Sequence, residues 1–211
     1  MFTPKELTPP TSSAIIQDIL ALQEAGQATI AYFYFDFRET DKQDLRNALA
    51  SLLTQLSAYS DSYCDILSHV HQAHDNGAYK PSVRTMITSF KEMLALPDQG
   101  PVYIILDAID ECSDYYSAHM EVLTFLTDLV GLQLPNFHVC VTSRPEFDIR
   151  TTLEPLVSYS ISIHDQNGQK MDIKDYIRSA VHADSDTAMK GWRDQDKELV
   201  IDTLSESADG M

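Results

Sequence analysis

The run Val102-Tyr103-Ile104-Ile105-Leu106, introduced by Gly100-Pro101 and ended by Asp107, constrains the fold more than any other segment of the chain. An uninterrupted apolar stretch of this length suits a strand buried on both faces, and such strands belong to parallel sheets covered by helices. Open α/β sheets bind ligands beyond the carboxyl ends of their strands. Asp107 stands at that end, and Asp110 and Glu111 follow within one turn. Three acids at the mouth of a buried strand suit a hydrated Mg²⁺, which takes few protein carboxylates and completes its shell with water and phosphate.

The rest of the chain alternates helical and extended patterns. A helix is predicted from about Thr11, carrying Ile15, Ile16, Ile19, Leu20 and Leu22, with Gly26 as its stop. Ala28–Phe35 is rich in β-branched and aromatic residues and reads as a strand. Thr40-x-x-Gln43 has the spacing of a capping box, and behind it Leu45, Leu49, Leu52, Leu53 and Leu56 recur at helical spacing. Further helices are expected over Cys64–Ala73, from Ser82 to Pro97, and around Val122 to Leu129. Phe137–Thr142 reads as a second buried strand, and Val157–Ile163 as a weaker one. Two more helices are expected, from Asp172 through Val181 and over about Asp196–Ser205. Strands separated by helices indicate a mostly parallel sheet with right-handed crossovers.

With 211 residues the chain is long enough for one α/β domain with a sizeable core. Fifteen basic and 32 acidic residues give a net charge of −17. So acidic a surface repels phosphate backbones and anionic bilayers, so neither nucleic acid nor membrane is an expected partner. MFTPKELTPP lacks a basic start followed by an apolar core, so no secretory leader is expected. Cys64, Cys112 and Cys140 have no paired spacing and are expected as small reduced core thiols, which fits a cytoplasmic protein.

Two strand ends carry the candidate chemistry. The first presents Asp107, Asp110 and Glu111, the second Thr142, Ser143 and Arg144. Neighbouring strands would bring the arginine beside the acids, and arginine forks onto phosphate oxygens bidentately. An acid for metal, an acid for water and an arginine for a terminal phosphate make up a nucleoside-triphosphate site. Bland readings remain open: the acids as solvated turn groups, and Arg144 as a partner of Asp107 or Glu111. His69-x-His71-x-x-His74 invites a metal-hydrolase reading, but on a helix its offsets diverge. Asp36 faces the same edge, with two readings: assistance to the site, or the favoured loop ion pair with Arg38.

IILDAIDEC, followed by VTSRPEFDIR, resembles the NACHT group of signal-transduction ATPases, closest to the nephrocystin-type version abundant in fungal receptor-like proteins. AYFYFDFRETDKQDLRNALASLLTQL is similar to that family's second strand and following helix, SAIIQDILAL to the helix after its phosphate loop, and SADGM to the start of its next subdomain. The resemblance implies a P-loop NTPase-like fold, a three-layer, mostly parallel sheet flanked by helices. It implies an unstructured segment at 1–11, a partial NTPase core at 12–165, and the start of a helical subdomain at 166–211. It also implies Mg²⁺ and ATP or GTP as cofactors. Asp107, in a Walker B motif, would hold the metal. Asp110 or Glu111 would handle the attacking water. Arg144, with Thr142, would read the terminal phosphate.

One part of the family pattern is missing. The family places a strand and a G-x-x-x-x-G-K-[ST] loop directly before the SAIIQDI helix, where backbone N–H groups and a lysine cradle the phosphates. Here that place reads KELTPPTSS, without glycine, and Pro9 and Pro10 lack N–H donors. The first, Walker A strand is thus expected to be missing, leaving unpaired sheet edges between the Phe137–Thr142 strand and the last one. The expectation is a truncated NTPase domain with weak or no nucleotide binding and no useful hydrolysis. The alternative is a nucleotide-free interaction module, binding protein partners or further copies of itself.

Overall fold

The computed structural model describes residues 12–97, 99–112, 116–161, 167–182 and 192–207. It divides into two compact units, Met1–Val157 and Ser158–Met211. The first is built on a parallel sheet of three strands, β1 (Thr29–Tyr34), β2 (Val102–Asp107) and β3 (Phe137–Val141), in the order β1-β2-β3. Tyr34 pairs in register with Asp107, and Leu106 with Val141, so all three strands end at one edge. This is the α/β, helix-flanked parallel sheet that the apolar run and its alternating neighbours predict, with no fourth strand among the described residues.

Strand alternation sorts the core into two layers. Ala31, Phe33, Val102, Ile104 and Leu106 face one side. There they pack against the helices α2 (Leu45–Ser57), α4 (Val83–Leu94) and α5 (Tyr116–Gly131). Leu49, Leu52, Leu56, Phe90, Met93 and Leu123 are fully buried in this layer. Ile30 and Ile105 face the other side, under Ile16 and Ile19 of α1 (Ser12–Glu24). α1 covers that face alone among the described residues, and Tyr32, Tyr34, Tyr103 and Cys140 are only partly buried on it.

The two outer strands are treated differently. On β1, Gln55 of α2 accepts from the Tyr32 N–H at 3.0 Å and donates to the Tyr32 carbonyl at 2.7 Å. Gln23 of α1 accepts from the Ile30 N–H at 2.9 Å. Two glutamine side chains thus occupy backbone groups that would otherwise recruit a further strand. β3 has no strand on its outer side among the described residues. The strand expected at Val157–Ile163 does not form over residues 157–161, which are irregular; 162 and 163 lie outside the described residues. A strand exists through its ladder, and this stretch pairs with no other strand.

Local details correct several expectations. Thr40-x-x-Gln43 is not a capping box: Thr40–Lys42 is a 3₁₀ turn, and α2 is capped by Asp44, which accepts from the Asn47 N–H at 2.8 Å. The Gln43 side chain instead donates to the Phe37 carbonyl. Ser82 caps α4 as expected, accepting from Thr85 N–H at 3.1 Å. α3 spans Asp61–Ala73, and α6 (Phe147–Leu153) is a short helix the periodicity did not reveal. Cys112 is buried, but Cys64 is exposed and Cys140 half-buried, so only one of the three is a true core thiol. The second unit contains α7 (Asn167–His182) and α8 (Asp194–Ser207), joined by Lys174–Asp202 and Arg178–Glu198 ion pairs.

The turn after α3 runs through Asp75, Asn76 and Gly77, all with positive φ. Gly77 has φ +84, and a Cβ there would meet His71 Nε2 at 2.9 Å. Imidazole swings aside readily, so the left-handed backbone sets the cost, about 1–2 kcal/mol. Gly77→Ala is therefore expected to lower unfolding free energy by that amount in urea. Adding His71→Ala is expected to restore little of it; full restoration would assign the cost to the ring contact instead.

Candidate functional site

β1, β2 and β3 end together, which brings both sequence-predicted strand ends to one edge. Asp107 closes β2, and the chain then turns through Ala108 in the left-handed region (φ 54, ψ 51) into a 3₁₀ turn, Ile109–Glu111. A non-glycine residue there is strained, and Thr142 supplies what holds it. The Thr142 hydroxyl accepts from the Ala108 N–H at 2.9 Å and donates to Asp107 Oδ1 at 2.6 Å. The Thr142 N–H donates to the Leu106 carbonyl at 3.0 Å, and its own carbonyl accepts from Ile109 at 3.1 Å. One threonine thus ties the end of β3 to the acidic turn through four hydrogen bonds.

Arg144 lies next to Asp110. Its backbone N–H donates to Asp110 Oδ1 at 3.0 Å, and its guanidinium Nε stands 3.4 Å from Oδ2. The Asp110 side chain is only 5% exposed, whereas that of Arg144 is 76% exposed. Arg144 therefore pairs with neither Asp107 nor Glu111, the two acids the sequence offered it. Glu111 is half-buried, and its charge reaches Arg38. Downstream, the Cys112 thiol donates to the Gln43 carbonyl at 2.9 Å, anchoring the acidic turn to the segment before α2.

Asp107 sits between the flanking strands, and its charge is felt on both. Burial, then Tyr32 and Asp107, push the Tyr34 phenol above its ordinary range. Burial and then Asp107 push up the Cys140 thiol. Asp36 belongs to a separate pair. Arg38 forks onto it with both contacts at 3.0 Å, and those hydrogen bonds hold the Asp36 carboxyl below the usual carboxylate range. The ion-pair role expected for Asp36 is the one observed.

The histidine string forms no site. His74 Nδ1 bonds the Val70 carbonyl at 2.8 Å, and no group of metal-ligating side chains among the described residues includes His69, His71 or His74.

The arrangement defines a class: an α/β domain whose parallel strands present acids, a threonine and an arginine at one carboxyl edge. Residues 11–144 match the family described as nephrocystin 3, N-terminal, and the chain belongs to that family. The matched region runs from α1 to Arg144, so it contains Asp107, Asp110, Glu111 and Thr142 as well. Comparison with curated proteins finds no match. Among the described residues, no helix is long and apolar enough to cross a membrane.

Proposed function

We propose that this nephrocystin-type chain is a relative of the NACHT signalling NTPases. Its strand edge serves the metal and terminal-phosphate side of ATP or GTP, and it binds nucleotide weakly. The observation that carries this reading is the Thr142–Asp107 hydrogen bond at 2.6 Å, which orients the acid at the mouth of β2. Thr142 engages Asp107 Oδ1, and no hydrogen bond or ion pair among the described residues uses Oδ2, which would be the oxygen left to a hydrated Mg²⁺. When bound, the ion would neutralise charge on phosphate oxygens. Glu111 is the better acid for the attacking water, because Asp110 is committed to Arg144. The Arg144 guanidinium is exposed and stands 3.4 Å from Asp110 Oδ2, and Asp110 keeps the Arg144 backbone N–H when the guanidinium turns away. It is therefore available to a terminal phosphate.

Weakness follows from the sequence. No G-x-x-x-x-G-K-[ST] segment occurs in the 211 residues, so these residues supply no such backbone cradle for the phosphates. Calorimetric titration with ATP and Mg²⁺ tests the reading. The expected result is residual binding near the millimolar range, roughly 4 kcal/mol, abolished by Asp107→Ala and by Arg144→Ala. Binding indifferent to both substitutions would sink it.

A second reading rests on the contrast between the sheet edges. β1 is plugged by Gln23 and Gln55, while β3 has no neighbour outside it among the described residues. An interaction module would use that edge to bind another protein or another copy of itself. No nucleotide heat from a folded protein, together with partner binding that ignores Mg²⁺ and Asp107→Ala, would favour it.

A further inference from the structure

A second cluster of ligating side chains lies away from the acidic turn, between α5 and α6. His119 of α5 is 9% exposed, and its Nε2 is inaccessible to solvent without a hydrogen-bond partner. Asp148 Oδ2 stands 3.1 Å away, and the two form an ion contact without hydrogen-bond geometry. Glu146, immediately before α6, completes a group whose ligand atoms all lie within 4.8 Å of one another. A buried imidazole nitrogen normally has a partner, and leaving one without costs about 1–3 kcal/mol.

We propose that His119, Glu146 and Asp148 bind a divalent transition-metal ion, zinc being the first candidate. Imidazole with two carboxylates suits zinc and its neighbours, whereas Mg²⁺ takes an all-oxygen shell. Bonds of about 2.0–2.2 Å place two ligands of one tetrahedral ion about 3.3 Å apart. The His119–Asp148 separation of 3.1 Å already has that spacing. Two ligating atoms at this separation without hydrogen-bond geometry suit convergence on a third body better than a donor and an acceptor.

Asp148 is prepared for the role: its Oδ1 is fixed by the Ile149 N–H at 2.9 Å, which leaves Oδ2 turned to His119. Glu146 is exposed, so its side chain is free to close the wider part of the gap. The N-terminus of α6 opposes a cation by about 0.3–1 kcal/mol. Two carboxylates and a neutral imidazole on the ion outweigh that. Three protein ligands leave a fourth position for water. The ion would clamp α5 to the turn that carries Arg144, two residues before Glu146.

The whole chain, freed of metal by a chelator, would be titrated with Zn²⁺ by calorimetry and with Co²⁺ by visible absorption. The expected result is one equivalent of Zn²⁺ at micromolar affinity or better, and a Co²⁺ spectrum showing nitrogen–oxygen coordination. His119→Gln and Asp148→Asn are each expected to weaken binding at least about tenfold. Asp107→Ala and His71→Ala are expected to leave it unchanged, which separates this site from the proposed nucleotide edge and from the histidine string. Asp148 is 40% exposed, so its variant decides the matter if His119→Gln fails to fold. No stoichiometric binding, or binding untouched by Asp148→Asn in a folded protein, overturns the site.

Discussion

Phe90→Ala is expected to destabilise the protein by about 3–5 kcal/mol, the largest effect of any single truncation considered. Phe90 is fully buried on α4 and meets Phe125 of α5 edge to face, with ring centroids 5.7 Å apart. Truncation removes the transfer energy of the ring and leaves a cavity, because close-packed interiors relax only in part. It also ends an aromatic pair worth about 0.5–1.5 kcal/mol. Phe90 and Phe125 belong to the core layer that also holds Ile104 and Leu106 of β2. Urea denaturation followed by circular dichroism measures it. Phe90→Leu, which keeps most of the volume, is expected to cost less than half as much. Leu22→Ala, at a position 40% exposed, is expected to stay within about 0.5 kcal/mol. A Phe90→Ala cost near that of Leu22→Ala would mean that the α4–α5 layer is not the core that holds this unit.

That core was readable because its signals are redundant. The leucines of α2 recur every three or four residues, and β2 is an unbroken apolar run, so period and composition agree on each element. The strand ends followed, since a parallel sheet must deliver Asp107 and Thr142 to the same edge once both strands are assigned. What escaped was decided by single contacts. Asp44 rather than Thr40 caps α2, because the chain first spends residues 40–42 on a 3₁₀ turn. Two carboxylates lay within reach of Arg144 on paper, and a third, Asp110, holds it. Seven-residue α6 is too short to show a period, so His119 and Asp148, 29 positions apart, gave no spacing that would join them. The strand expected from Val157 had the right alternation and no partner to pair with over its described residues. Pairing is a tertiary fact that alternation alone cannot supply.

Thr142→Val is expected to cost about 2 kcal/mol and to loosen the candidate site, although it is nearly isosteric. The hydroxyl serves two masters at once, accepting from Ala108 N–H and donating to Asp107. Valine keeps the shape of the strand end but orphans a backbone N–H, which costs about 1–3 kcal/mol when it is shielded from water. The same N–H belongs to the left-handed residue, so the strain at Ala108 loses its counterweight. Asp107 loses a charge-assisted bond, roughly twice as strong as a neutral one. Thr142→Ser retains the hydroxyl and is expected to recover most of the loss. The coupling is testable apart from any ligand. In an Asp107→Asn background the charge assistance is gone, so Thr142→Val is expected to cost measurably less than it does in the parent chain. Additivity within about 0.3–0.5 kcal/mol would show that the two side chains are neighbours without being partners. In that case the turn would be held by the Ala108 and Ile109 backbone bonds alone. The acid at the mouth of β2 would then be free to rotate, and a preset metal ligand could no longer be argued from its geometry.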